Sequence, residues 1–558
     1  MKQFSLTEST ETARGAMMVA GLSPGFSRRG NGITATEPVE LSTNRGFFQG
    51  IGTRGKNPWH PMSKRWYALL ARGWDHPFHH YTKTARKSMT PKELQRNDEH
   101  FLAGFFEPES VAIVGASNNP MRATYHLVGN LIKLGFRGRI YPVHLSEKEI
   151  LGIKTFRSVK DIPETVDLAV IGVSCMATPG VLKECVEKGI KRVTLIAGGF
   201  SEAGEEGKRV QAEMARMVGE NSIRAIGPNA LSPINVKTGF CISFHAIDSI
   251  KPGNLSLIFQ SGLYEPRSGW LLNDFNYHLN RLIDLGNKMD VNEVDALGYL
   301  VEDPETRVIG IHLESIGGDG REFLRLIRKG SAQGKRVVVL KSGRSEAGAK
   351  AALSHTGALV QGNDRVFEDA MKQCGALRAR SLEDFFDLTR ALERFGPLSL
   401  KGNRVFIATF PGGEGVIVTD LLEQEGLSLA ETGSATLEKL RAVFPSWDIP
   451  GNPWDLGLTM QFHDPGKIYQ TVLDAMIAEP NVDGLAIQMH PQSLLFPKEF
   501  MGIFTRAAQA GKPIALWLAG MESGRHENLM WLEERGVPVF PSPEKAVRAL
   551  AALHRLTR

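Results

Sequence analysis

The sequence predicts an α/β protein: three consecutive doubly wound parallel-sheet domains behind an irregular basic N-terminal arm. Three observations carry this. From Val111 onward, short apolar runs ending in small residues alternate with helical stretches, the pattern of a parallel sheet with helices on both faces. The theme of strand, small-residue turn and helix restarts near residue 250 and again near residue 400. The 558 residues, at roughly 100–200 per domain, leave room for about three or four domains. The expected segments are 1–100 (arm), 101–240, 241–398 and 399–558.

Composition narrows the class. Hydrophobic residues at 42% and charged residues at 23% suit a core-forming chain and exclude a wholly disordered, collagen-like or coiled-coil protein. No run of 18 apolar residues occurs, so no membrane span is expected. Cys175, Cys185, Cys241 and Cys374 are too few and too scattered for a disulfide framework or a zinc site. No metal site is expected, and the setting expected is the reducing cytoplasm. The arm holds 15 Lys or Arg against 8 Asp or Glu, whereas residues 101–558 hold 51 against 53. The body is therefore near neutral and gives no nucleic-acid footprint.

The arm is rich in Gly, Ser, Thr and Asn up to residue 57, without helical or strand periodicity. No apolar stretch follows Lys2, which argues against a signal peptide, and Glu8 and Glu11 are out of place in a transit peptide. Residues 58–81 are dense in Trp, His and Arg. Two readings stand: metal or anion binding by His76, His79 and His80, or aromatic packing of the arm on the body or another subunit.

In the first domain the strands are SVAIVGAS, GRIYPVHL, DLAVIGV, RVTLIAGGF and IRAIGPN. Ligands bind such sheets at the carboxyl ends of the strands. The turn Gly115-Ala116-Ser117 after the first strand offers backbone amides to a phosphate. It is not GxGxxG, which disfavours a nicotinamide cofactor. In the second domain NLSLIFQSG ends at Gln260-Ser261-Gly262, with Ser261 a candidate helix N-cap. RVIGIHLESIGG ends with Glu314 beside two glycines, and KRVVVLKSGRS runs into the small-residue segment that holds His355. Segments of that kind often carry chemistry. In the third domain NRVFIATFPGGEG places Gly412-Gly413 at a helix start, another anion cradle, and PSWDIPGNPWDLG reads as an ordered loop.

Together VAIVGAS with GFRGRIYPV, IGPN, LGNKMDVNEVDALGYLVEDPETRVIGIHLESI and LKSGRSEAGAKAALSHTGAL resemble the α-type subunit of the ADP-forming acyl-CoA synthetases, relatives of succinyl-CoA synthetase. FPGGEGV and GNPWDL resemble the small ligase domain of that family, and the resemblance covers about 105–555. It implies a Rossmann-like CoA-binding domain followed by two flavodoxin-like ligase domains, and ligation of a small carboxylic acid to CoA. The route implied runs through an acyl phosphate and a phosphohistidine at His355, with Glu314 orienting the ring. It also implies CoA at Gly115, Ala116 and Ser117, and phosphate at Gln260, Ser261, Gly262, Gly412 and Gly413. No ATP-grasp domain is visible, so ATP/ADP and Mg2+ are expected on a separate β-type chain in a hetero-oligomer.

This chain departs from the family pattern in places. Pro266 follows the Gln-Ser-Gly turn where a helix is expected and would remove a backbone bond in its second turn. Asn229-Ala230 and Val143-His144-Leu145 replace the family's Asn-Cys and Val-Asn-Pro. The alternative reading is a non-catalytic subunit that binds CoA or acyl-CoA.

Overall fold

A computed structural model describes residues 100–356, 363–441, 443–444, 451–457, 459–495, 497–518 and 527–557, without the side chains of 353–356 and 492. The chain divides into residues 1–88 and 89–558, and all that is described belongs to the second unit. The arm, with His76, His79 and His80, lies outside the described residues.

The first sheet contains β1 (Ser110–Val114), β2 (Arg139–Val143), β3 (Leu168–Ile171), β4 (Arg192–Leu195) and β5 (Arg224–Ile226), ordered β2-β1-β3-β4-β5 and parallel throughout. Every residue of β1 and β3 is buried, because α1 (Ala123–Lys133), α2 (Thr178–Lys188) and α3 (Glu205–Glu220) accompany the sheet. This is why these strands read as continuous apolar runs rather than alternating ones.

The second sheet has seven strands: the hairpin β6 (Ile234–Asn235) and β7 (Phe240–Cys241), then β8 (Lys251–Phe259), β9 (His278–Asp284), β10 (Val308–Leu313), β11 (Arg336–Lys341) and β12 (Ala376–Arg378). Their order is β12-β11-β10-β8-β9-β6-β7, with only the hairpin antiparallel. The boundary expected at 240/241 therefore falls inside β7. The hairpin extends the second sheet because Ile234 and Asn235 pair with Leu282 and Arg281 of β9. Helices α4 (Glu293–Glu302), α5 (Gly320–Ala332), α6 (Glu346–Thr356), α7 (Asp364–Gln373) and α8 (Leu382–Phe395) complete this layer.

The third sheet is ordered β14-β13-β16-β17-β18, from β13 (Arg404–Thr409), β14 (Ser428–Leu429), β16 (Gly484–Gln488), β17 (Ile514–Trp517) and β18 (Val539–Phe540). The segment expected as a loop contributes β15 (Trp454–Asp455), which pairs with Ala408 and Thr409 of β13. The helices here include α9 (Gly412–Gln424), α10 (Pro465–Ala478), α11 (Lys498–Gln509) and α12 (Pro543–Arg555).

The domains share cores. Helix α8 is buried from Phe385 to Phe395 and joins α12 in one apolar cluster running from Ile234 to Leu553. Between the first two sheets, residues 287–291 zip onto 225–230: Asn287 N donates to Pro228 O (2.9 Å), Met289 N to Gly227 O (3.0 Å) and Val291 N to Ala225 O (3.1 Å). Gly286 must be glycine here, since its φ is +54° and a Cβ would collide with Pro228 O. That explains one fixed point of the LGNKMD stretch. Among the described residues no helix is long and apolar enough to cross a membrane.

Candidate functional site

In the second sheet the chain order reverses between β8 and β10, the switch point where open α/β sheets form a crevice. Gln260 leaves the end of β8 there and is buried. Its Oε1 accepts from Glu314 N (2.7 Å) and Ser315 N (2.9 Å), and its Nε2 donates to Ser315 Oγ (3.3 Å). Gln260 thus fixes the strand end that carries Glu314, and its side chain is committed to that tie.

Behind this tie lies a buried ion pair. Lys288 Nζ stands 3.0 Å from Glu293 Oε2 and donates to Ser315 O at 2.7 Å. Glu293 Oε1 accepts from Gly317 N and Gly318 N at 2.7 and 3.0 Å. Burial lowers the pKa of Lys288, while Glu293 and Glu314 pull the other way. The loop after β10 is therefore held at both ends by charge and backbone bonds together.

Glu314 is buried and lines a cavity of about 590 Å3 with Ser315, Lys341, Arg344, Asn363 and Phe367. Lys341 Nζ donates to Glu314 O (3.3 Å) and Ser342 O (3.0 Å). Burial lowers its pKa against the pull of Asp364. Arg344 and Asp364 bracket the segment bearing His355 and are themselves paired, Nε to Oδ2 at 3.1 Å. His355 lies in the last turn of α6, and its side chain falls outside what is described. Helix α6 runs against the turn Ser201–Ala203 of the first domain.

The helix expected after Gln260-Ser261-Gly262 is not an α-helix. Gly262–Arg267 is a 3-10 helix containing Pro266, followed by the π-helical Trp270–Asp274. Ser261 occupies the N-cap position, but its side chain makes no capping bond. The irregularity has a local cause beyond Pro266. Glu265 points inward, where Phe244 N (2.9 Å) and Ser243 Oγ (3.0 Å) donate to it, and Tyr264 Oη donates to Leu231 O. Arg267 donates to Leu263 O at 2.8 Å, so its charge is turned onto its own turn. Beneath this turn sits Asp284, fully buried, accepting from Leu231 N (2.9 Å) and Gly286 N (3.2 Å). Burial pushes its pKa up to about 7, partly offset by those two amides.

In the first sheet the switch point lies between β1 and β3. Gly115 turns there with φ +84°, and a Cβ would stand 2.6 Å from Gly172 O. No side chain fits there, which leaves glycine as the residue for this turn. Ala116 is buried, and Ser117 Oγ accepts from Asn119 N (3.1 Å). Asn118 ties the loop to residues 149–151, donating to Glu149 O at 2.8 Å and accepting from Leu151 N at 3.0 Å. Along the same edge Glu202 Oε1 accepts from Gly199 N (2.7 Å), and Asn287 Nδ2 donates to Glu202 Oε2 (2.6 Å). The first domain's ligand edge is thereby tied to the loop that leads to Lys288.

The third sheet treats its turn differently. Gly412 N donates to Asp455 Oδ2 at 3.0 Å, and Gly457 N donates to Asp455 Oδ1 at 2.8 Å. Glu414 in the first turn of α9 accepts from Gln488 Nε2 (2.7 Å) and Trp517 Nε1 (2.8 Å). The seat predicted for phosphate at Gly412 thus holds a carboxylate of the chain itself, whereas Gly413 has open space around it. The structure brings Gln260 and Glu314 together beside the root of the His355 segment. Among the described residues, no hydrogen bond joins Gly412 or Gly413 to that cluster.

Sequence reasoning missed Lys288, Glu293, Asp284 and Asp455. Lys288 and Glu293 stand five apart in LGNKMDVNEVD, and only the fold brings them into a buried pair. Asp455 had a local signal in GNPWDLG, an acid between Trp454 and Leu456 in a stretch read as loop.

Comparison with known proteins agrees with this architecture. Residues 109–233 match the family model described as CoA binding domain, and residues 252–392 the succinyl-CoA ligase like flavodoxin domain. The chain is 37% identical over 469 residues to the acetate–CoA ligase [ADP-forming] I subunit alpha of Pyrococcus furiosus, covering 82% of this chain and 98% of that one. It is 34% identical to the acetate–CoA ligase [ADP-forming] II of Archaeoglobus fulgidus, covering 82% of this chain and 67% of that one. A solved structure of the dinucleotide-forming acetyl-coenzyme A synthetase 1 of Ca. Korarchaeum cryptofilum, in complex with phosphate and ADP, superposes with a TM-score of 0.73 at 30% identity. That superposition covers 82% of this chain and 97% of the other. With its three parallel sheets and a match spanning nearly the whole of a named alpha subunit, the chain belongs to the ADP-forming acyl-CoA synthetase family of the succinyl-CoA synthetase-like superfamily.

Proposed function

We propose that the chain is the α-type subunit of an enzyme that converts a small carboxylic acid, CoA and ATP into acyl-CoA, ADP and phosphate, with His355 carrying the phosphoryl group. The observation that carries this is the Gln260–Glu314 tie at a sheet switch point. It stands beside a cavity bounded by Arg344 and Asp364, the two ends of the His355 segment.

Neutral imidazole is a nucleophile near pH 7. A ring nitrogen of His355 attacks the γ-phosphorus of ATP, and ADP leaves. The carboxylate of the acid then attacks that phosphorus, the P–N bond breaks, and an acyl phosphate forms. The CoA thiol attacks its carbonyl carbon, the C–O bond to phosphate breaks, and acyl-CoA and phosphate result. Glu314 holds the second ring nitrogen and favours the charged ring of the intermediate. Its strand end is fixed by Gln260 and braced by Lys288, which suits a positioning role.

CoA is assigned to Gly115, Ala116 and Ser117. The left-handed turn at Gly115, where a Cβ would collide with Gly172 O, is open to glycine alone, and the backbone amides of such a strand-end turn suit a phosphate-bearing ligand. Phosphate near His355 is assigned to the amides of Ser261 and Gly262. Gly413 remains a candidate donor, while Gly412 is already bonded to Asp455. The nucleotide, with Mg2+, belongs on a β-type ATP-grasp partner in a hetero-oligomer. About a third of the Archaeoglobus relative, whose name mentions no subunit, has no counterpart here. The cytoplasm is the compartment proposed.

The test runs the reaction backwards on this chain alone. Incubation with acyl-CoA and labelled phosphate is expected to give acid-labile, base-stable label on the chain, absent in His355→Ala. Retained CoA binding without label, across a panel of short-chain and aromatic acyl-CoAs, would replace this reading with the non-catalytic CoA-binding subunit.

A further inference from the structure

A second cavity, of about 640 Å3, opens where the outer strand β12 of the second sheet meets the ends of α7 and α12. Its lining carries Arg344, Lys372, Arg378, Arg380, Arg548 and Arg555, against Glu368 as the single lining carboxylate. All six cations are paired, but they share few partners. Glu425 alone receives Arg380 (2.5 Å), Arg548 (3.2 Å) and Arg555 (2.8 Å). Asp364 receives Arg344 and Arg378, Asp384 receives Arg548, and Glu368 receives Lys372 at 2.9 Å. Six cations on four carboxylates leave a surplus of two positive charges. The Arg378 side chain is 7% exposed, and its Nε has no hydrogen-bond partner among the described residues. Its terminal nitrogens donate to Asp364, at Oδ1 and at the backbone O (3.0 Å), and Nη1 also stands 3.8 Å from Glu368 Oε2.

We propose that this cavity binds a small phosphate-bearing anion at a site separate from those assigned above. The charge surplus matches a phosphate dianion, guanidinium forks suit its oxygens, and the volume is that of an ordinary ligand pocket. Arg344 links the site to the chemistry: it is bonded across the root of the His355 segment to Asp364, and an anion in the cavity competes with Asp364 for Arg344 and Arg378. The inference does not depend on the reaction proposed above.

The test is calorimetric titration of the full chain with pyrophosphate. Lys372→Glu reverses one exposed charge, and Arg380→Ala with Arg555→Ala leaves Arg548 on Glu425. Each variant is expected to weaken pyrophosphate binding at least tenfold with CoA binding intact, while His355→Ala binds pyrophosphate like the wild type. If the double variant fails to fold, Lys372→Glu decides alone. Absence of wild-type binding, unchanged affinity in Lys372→Glu, or loss of binding in His355→Ala would overturn the proposal.

Discussion

The five parallel strands β8 to β12 of the second sheet and the strands β13, β14, β16, β17 and β18 of the third follow the same order with the same switch point, yet the two sheets finish it in opposite ways. In the second, a glutamine on the first strand of the crossover, Gln260, reaches across to two amides after β10. In the third, a glutamine on the far strand, Gln488, reaches back to Phe410 N at 2.6 Å. In the second, among the described residues, no side-chain carboxylate is hydrogen-bonded to the amides of Ser261 or Gly262, and the Lys288–Glu293 pair braces the opposite strand end. The third inserts Asp455 into its helix start and surrounds Glu414 with neutral donors. A glycine at a strand end is therefore an anion seat only where the chain does not fill the seat itself. Two turns that look alike in sequence differ in this respect because of one residue more than forty positions away.

Four substitutions test that contrast. Lys288→Met leaves the buried Glu293 carboxylate without its cation and is expected to cost about 3–5 kcal/mol, read by denaturant unfolding. A cost under about 1 kcal/mol would show that the pair does not brace the site. Gln260→Ala strands the Glu314 and Ser315 amides, for an expected loss of about 2–4 kcal/mol, and Gln488→Ala strands the Phe410 amide and removes one of the two donors on Glu414, for a loss of about the same size. A cost under about 0.5 kcal/mol at either position would show that its glutamine does not hold that strand end.

Asp455→Asn keeps one of its two amide bonds and loses the charge, so about 1 kcal/mol of stability should go, with phosphate binding unaffected. If stability held while phosphate binding strengthened, the Gly412 amide would be a competent phosphate seat after all.

A further effect is read as a pH dependence. Asp284 has its native pKa raised from 3.8 to about 7, so between those values the unfolded state releases a proton that the folded state keeps. The stability it contributes is present below about 4 and is lost as pH rises toward 7. Asp284→Asn should flatten that slope in melting temperature, and an unchanged slope would place the titration elsewhere.

Much of this was legible in the sequence because parallel strands buried on both faces are unbroken apolar runs. SVAIV, VIGIHL and RVFIAT needed no tertiary knowledge to be read as strands. The hairpin at 234–241 was not legible, since two-residue strands leave no periodic signal and exist only because β9 offers an edge. Gln260, Glu314 and Gly115 were visible at strand ends, where α/β sheets carry their ligands. The partners that decide what those residues do, Lys288 and Asp455, come from distant turns. Even the expected effect of Pro266 was incomplete: the turn is 3-10 largely because Glu265 and Tyr264 are anchored below it.

The measurement that tests the central claim most directly is site mapping of the phosphoryl group. The purified chain is mixed with a β-type ATP-grasp partner and ATP labelled at the γ-position, and the modified residue is located by mass spectrometry under alkaline conditions. One acid-labile phosphoryl group is expected on His355, lost in His355→Ala while CoA binding persists. Label retained in that variant, or found on another residue, would contradict it.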